Sequence, residues 1–170
     1  MTLISEQQLD EAADLQAALT DEEWLRRSDE LFDRQKALFL EVLTFARDDP
    51  ASGHGKSFLD YLSSLQFIGD SLTQKGCFPP FEGNDLAAAV KEGARAIKEQ
   101  SKLSSSEWAN VESMRRQPFV WAQLFKILER SDVQSSSLIQ SIILTLWAVT
   151  KLYADRFTEI LDARDGAKLN

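Results

Sequence analysis

Between Thr20 and Arg47 apolar residues recur every seven positions, and no other feature constrains the fold of this chain so tightly. Trp24, Leu31, Leu38 and Phe45 form one row, and Leu25, Phe32, Phe39 and Ala46 form a second. Seven residues make nearly two helical turns, so both rows fall on one side of a helix that packs at a shallow angle on a neighbour. A third row, Ser28, Gln35 and Val42, falls between the members of the first. Ser28 and Gln35 lie near the middle of the stripe. Each must hydrogen-bond across the interface or leave a costly buried polar group. Thr20 and Glu23 have the capping-box spacing, which places the start of this helix; its pattern runs to about Arg47.

The same reading extends along the chain. Ser5 could cap a short first helix through Leu19, with Leu9, Ala12, Ala13 and Leu15 on its apolar side. Residues 48–55 read as a loop, because Pro50 disfavours helix at Asp49 and two glycines follow. A third helix is expected from about Ser57 to Gln74, with Phe58, Leu62, Leu65, Ile68 and Leu72 on one face. After the loop Cys77–Gly83, Asn84 or Asp85 would cap a fourth helix ending near Ser101. Its inner side is small: Leu86, Val90, Gly93, Ala94 and Ile97. Ser104 and Glu107 repeat the capping-box spacing before a fifth helix, which carries Trp108 and Val111. That helix should bend or restart at Pro118, and Trp121, Leu124, Phe125 and Leu128 continue its apolar face. The last helix, from about Ser135 to Ala163, is apolar on nearly all sides between Leu138 and Val149, the pattern of a surrounded helix. Residues 164–170 read as a frayed tail.

No segment alternates apolar and polar residues as a strand would, and no repeat of solenoid length occurs. The expectation is all-α: a compact bundle of five to six mostly antiparallel helices with the C-terminal helix at its centre. At 170 residues the chain is the size of one domain, here spanning 1–170, with residues 1–19 as an acidic N-terminal helix or arm.

Charge narrows the function. The formal net charge is −8, and the first 25 residues hold seven acids and no lysine or arginine. Sequence-independent nucleic-acid binding draws its affinity from Lys and Arg at phosphates, and anionic lipid attracts the same residues, so neither is expected as a partner. A basic protein is. The longest uncharged stretch, Val133 to Thr150, carries serines near its start and reads as a buried helix rather than a membrane span. The single cysteine and the lack of a basic-then-apolar leader at the N-terminus point to the cytoplasm.

Few residues could carry chemistry. Gly53-His54-Gly55-Lys56-Ser57 ends like a phosphate-binding loop, but Pro50 stands where that loop needs its first glycine, and a helix precedes it in place of a strand. It reads as a turn with Ser57 as an N-cap. One histidine and one cysteine cannot make a zinc site unaided, and no Glu-x-x-His pair offers a di-metal centre, so no metal or cofactor is expected. Cys77 reads as a small packing residue. The Phe78-Pro79-Pro80-Phe81 loop has two readings: rings folded back to plug the end of the bundle, or rigid aromatic anchors for a partner.

Nothing supplies a base, a nucleophile and an oxyanion donor together, so catalysis is not expected. The sequence favours a non-catalytic protein–protein interaction module, an inhibitor, immunity protein or adaptor that shows an acidic helical surface to a basic partner. The residues expected to meet that partner are Asp10, Asp14, Asp21 and Glu22, with Phe78 and Phe81. The alternative is a bundle that holds a lipid-like or other apolar ligand between its last and fourth helices.

Overall fold

Every regular element of the computed structural model is helical, and no strand occurs among the residues it describes: 3–40, 54–73, 76–100, 112–130 and 136–168. The helices are α1 (Glu6–Ala17), α2 (Asp21–Arg34), α3 (His54–Leu72), α4 (Gly83–Gln100), α5 (Glu112–Arg115), α6 (Pro118–Arg130) and α7 (Ser136–Lys168). They fall into two compact units, residues 6–83 and residues 1–5 with 84–170.

In the first unit, α2 starts where its cap predicts. The Thr20 N–H and hydroxyl both donate to Glu23 Oε2 at 2.9 Å, and the Glu23 N–H returns to Thr20 Oγ1 at 3.3 Å. The expected unbroken run to Arg47 does not occur. α2 ends at Arg34, and Gln35 breaks it with φ −127° and ψ 44° before residues 36–40 resume helical form. The reason is the Gln35 side chain, which is fully buried and bonded to a neighbouring loop as described below. Residues 41–53, with the end of the seven-residue pattern, lie outside the described residues. At the other end of the rows Leu25 is 60 % exposed, so the second stripe is not buried at its start.

α1 buries Leu9, Ala12 and Gln16, spaced three and four apart, and packs chiefly on α3. The predicted face of α3 holds: Phe58, Leu62, Leu65, Ile68 and Leu72 are all buried. Its start differs. His54 to Ser57 form the first helical turn, so Ser57 lies inside the helix and is not its cap. The Trp24 indole N–H donates to Asp60 Oδ1 at 2.6 Å, joining α2 to α3.

In the second unit the chain restarts at Pro118, as its missing N–H requires, after the short α5. The preceding Gln117 is buried. Its Oε1 accepts from the Ile4 N–H at 2.9 Å, and its Nε2 donates to Thr158 Oγ1 at 3.2 Å, so one amide ties residue 4 to α7. Along α7 every residue from Thr145 to Thr150 is buried, as are Tyr153, Ala154, Phe157 and Thr158. Six consecutive buried residues cover all sides of a helix. The Trp147 ring lies beside Gly93 of α4, filling the space that small residues leave there, and its centroid is 5.4 Å from that of Trp121. α7 continues to Lys168, so the frayed tail expected from Arg164 onward is helical to that point. Gly166 is its weakest helix former, too small a penalty to end a long helix pinned by Leu161. The Ser104/Glu107 pair lies outside the described residues.

Candidate functional site

The acids marked out by the sequence stand on the surface. Asp10 and Asp14 project from α1 one turn apart, Asp21 and Glu22 open α2, and all four are exposed. None of the four engages in an ion pair or side-chain hydrogen bond among the described residues. Glu23, beside them, is committed: hydrogen bonds from the Thr20 backbone and hydroxyl, helped by the charges of Arg26 and Arg27, hold its carboxyl below the ordinary 4.5. Acids in a first turn also favour the helix by facing its positive end, so Asp21 and Glu22 support α2 while remaining free to meet solvent.

Of the two readings of the Phe78-Pro79-Pro80-Phe81 loop the inward one holds, and the placing of Phe78 and Phe81 as partner anchors is corrected. As partner anchors they would have to face outward, yet they are 1 % and 5 % exposed. Their rings meet edge to face, centroids 5.6 Å apart, and Phe78 covers Gly69 of α3. The reason lies in the backbone. The Phe78 N–H donates to Asp70 Oδ1 at 2.8 Å and the Phe81 N–H to Gln35 Oε1 at 3.0 Å, so both aromatic positions are drawn against the helices. The prolines stay nearer the surface, Pro79 part-buried and Pro80 exposed.

These bonds belong to a larger clasp. Gln35 Nε2 donates to the Pro79 carbonyl at 3.1 Å and to Gln66 Oε1 at 3.0 Å. Gln66 Nε2 in turn donates to Asp70 Oδ1 at 3.1 Å, one turn further along α3. Arg34 closes the set with two parallel bonds to Asp70, Nη1 to Oδ2 at 2.9 Å and Nη2 to Oδ1 at 2.5 Å. That hydrogen bonding raises the guanidinium above its usual pKa, so Arg34 stays charged. Arg34 Nη2 also lies 3.6 Å from Cys77 Sγ, and Cys77 is exposed rather than packed as the sequence suggested.

The arrangement positions a loop. Asp70 spends both oxygens on donors from Arg34, Gln66 and Phe78. Among the described residues no three histidine, cysteine or acidic side chains gather as metal ligands, and no helix is long and apolar enough to cross a membrane. His54, Gly55 and Lys56 form the first turn of α3, and the residues just before them lie outside the described ones.

Of the clasp, the sequence pointed only to Gln35. Gln66 and Asp70 were missed, although two polar residues one turn apart on a helix as apolar as α3 were the available signal. No protein-family model, curated protein or solved structure matches the chain significantly.

Proposed function

We propose that the chain is a non-catalytic protein-interaction module, an inhibitor, immunity protein or adaptor, which presents acidic helical surface to a basic protein partner. The observation that carries this reading is the set of uncommitted carboxylates. Asp10, Asp14, Asp21 and Glu22 are exposed with nothing paired to them among the described residues, whereas Glu23, Glu30, Asp70, Glu99 and Asp155 are all engaged. Asp10 and Asp14 stack at a four-residue spacing, where like charges repel, and a cationic partner relieves that repulsion.

The reading places the protein in the cytoplasm, in keeping with its single free thiol. It also takes α7 as the central helix of its unit, supported by the unbroken burial from Thr145 to Thr150.

Complementary charge acts mainly on encounter. A partner captured from the native host supplies the test. Changing Asp10 and Asp14 to Asn, Asp21 to Asn and Glu22 to Gln should slow association, and the wild-type rate should fall steeply with added salt. An association rate indifferent to both would leave these acids as solvated surface.

A further inference from the structure

Leu25 is 60 % exposed, more than any other large apolar side chain among the described residues. A lone leucine at a surface is ordinary, but this one opens a row. Phe32, two turns along α2, is half-buried, and its ring stands edge to face on the buried Phe39 with centroids 5.1 Å apart. The row passes from open at Leu25 to closed at Phe39. Leu25 and Phe32 stand about 10 Å apart along the helix axis.

The charges of α2 are sorted around that row. Asp21 and Glu22 lie one turn before Leu25 and Asp29 one turn after it, where helix geometry makes all three its neighbours. Each is exposed, and none is in an ion pair or side-chain hydrogen bond among the described residues. The arginines of the helix, Arg26, Arg27 and Arg34, line an open concavity that α2 shares with α1 and α3. Arg26 is paired with Glu30 at 3.0 Å and Arg34 with Asp70. None of the three pairs with a carboxylate beside Leu25, and the next cation, Lys36, lies beyond the bend at Gln35.

We propose that the Leu25–Phe32 stripe docks an amphipathic helix of the basic partner, apolar side chains over Leu25 and lysines or arginines on Asp21, Glu22 and Asp29. This rests on the acidic-surface reading above and adds to it an anchor and the partner's shape. Apolar residues at a seven-residue interval fit a second helix that lies alongside and offers its own at the same interval. The acids steer that helix inward, and the burial of Leu25 holds it. A second copy would oppose these acids with its own, and an anionic lipid surface would oppose them with phosphates, so neither fits the stripe.

The test titrates the full chain, followed by NMR, with three synthetic helical peptides. One carries leucines at heptad spacing and lysines elsewhere, the second has alanines for those leucines, and the third has glutamates for the lysines. The Leu/Lys helix should bind saturably, with shifts centred on Leu25, Asp29 and Phe32, and the Leu/Glu helix should not bind. Leu25→Gln should weaken the Leu/Lys helix roughly tenfold, the burial of about one leucine side chain, with thermal unfolding unchanged because Leu25 already faces water. Equal binding of the Leu/Lys and Ala/Lys helices, indifference to Leu25→Gln, shifts centred elsewhere, or self-association of the chain abolished by Leu25→Gln would each overturn the proposal. If the two lysine helices bind equally and Asp21→Asn with Glu22→Gln weakens both, the anchor falls and the acidic-surface reading stands. If those two substitutions leave both lysine helices unaffected, that reading falls with it.

Discussion

The ring of Phe78 occupies the place where a side chain at Gly69 would stand: a Cβ built there comes within 2.5 Å of Phe78 Cδ2 and 2.6 Å of Cγ. Those atoms belong to a buried ring and cannot swing aside like the tip of a lysine. Gly69→Ala gains up to about 1 kcal/mol in helix propensity but forces overpacking that costs about 1–3 kcal/mol. A net loss of stability is expected, measured by urea unfolding. Against a Phe78→Leu background the same substitution should lose most of its effect. If Gly69→Ala stabilises the protein, the ring does not rest on α3 in solution.

Gln35 offers a sharper test of the clasp. Gln35→Leu keeps the bulk and deletes the side chain's hydrogen bonds to the Phe81 N–H, the Pro79 carbonyl and Gln66 Oε1. Each buried orphan costs about 1–3 kcal/mol, so a total loss of several kcal/mol is expected. Hydrogen exchange at the Phe81 amide should accelerate with it. Slow exchange retained in the variant would mean that another group holds that amide.

Trp147 is 3 % exposed and its indole Nε1 is buried with no partner among the described residues. Trp147→Ala should cost about 3–5 kcal/mol. Trp147→Phe should cost much less, because it keeps most of the packing and removes an unsatisfied donor. Equal losses in the two variants, read by calorimetry, would show that the indole N–H does have a partner.

The cap of α2 carries a pH dependence whose direction follows from Glu23. Its carboxyl is held below 4.5 by Thr20, so the folded state binds this proton less readily than the unfolded chain does. The stabilisation is complete above 4.5 and is lost as pH falls through the lowered folded value. NMR titration of Glu23 should give a midpoint below 4.5, and Thr20→Val should move it back up. A midpoint unmoved by that substitution would exclude the cap as the cause.

What could be read from the residues follows from how local the causes are. The cap at Thr20 and Glu23, the restart at Pro118 and the buried face of α3 depend on neighbours within a turn or two, and periodicity exposes them. The inward turn of Phe78 and Phe81 depends on Asp70 and Gln35, the latter 46 positions away from its partner Phe81. No local pattern reports which way a Phe-Pro-Pro-Phe loop will face. The heptad rows predicted a buried Gln35 correctly, yet they also implied a continuous helix there, because periodicity records burial and is blind to a single residue's ψ.

The clasp also sets an order of events. The loop cannot be gripped until α2 and α3 stand side by side, because the groups that hold it come from both helices. The expectation is that its bonds form after the main folding barrier is crossed, in which case a residue of this kind governs how fast the native state opens rather than how fast it is reached. In a stopped-flow chevron, Gln35→Leu should leave both slopes and the refolding limb nearly in place, while the unfolding limb rises. On that outcome a single amide at the bend would set how long the unit of residues 6–83 stays shut, for as long as its two neighbouring helices remain aligned.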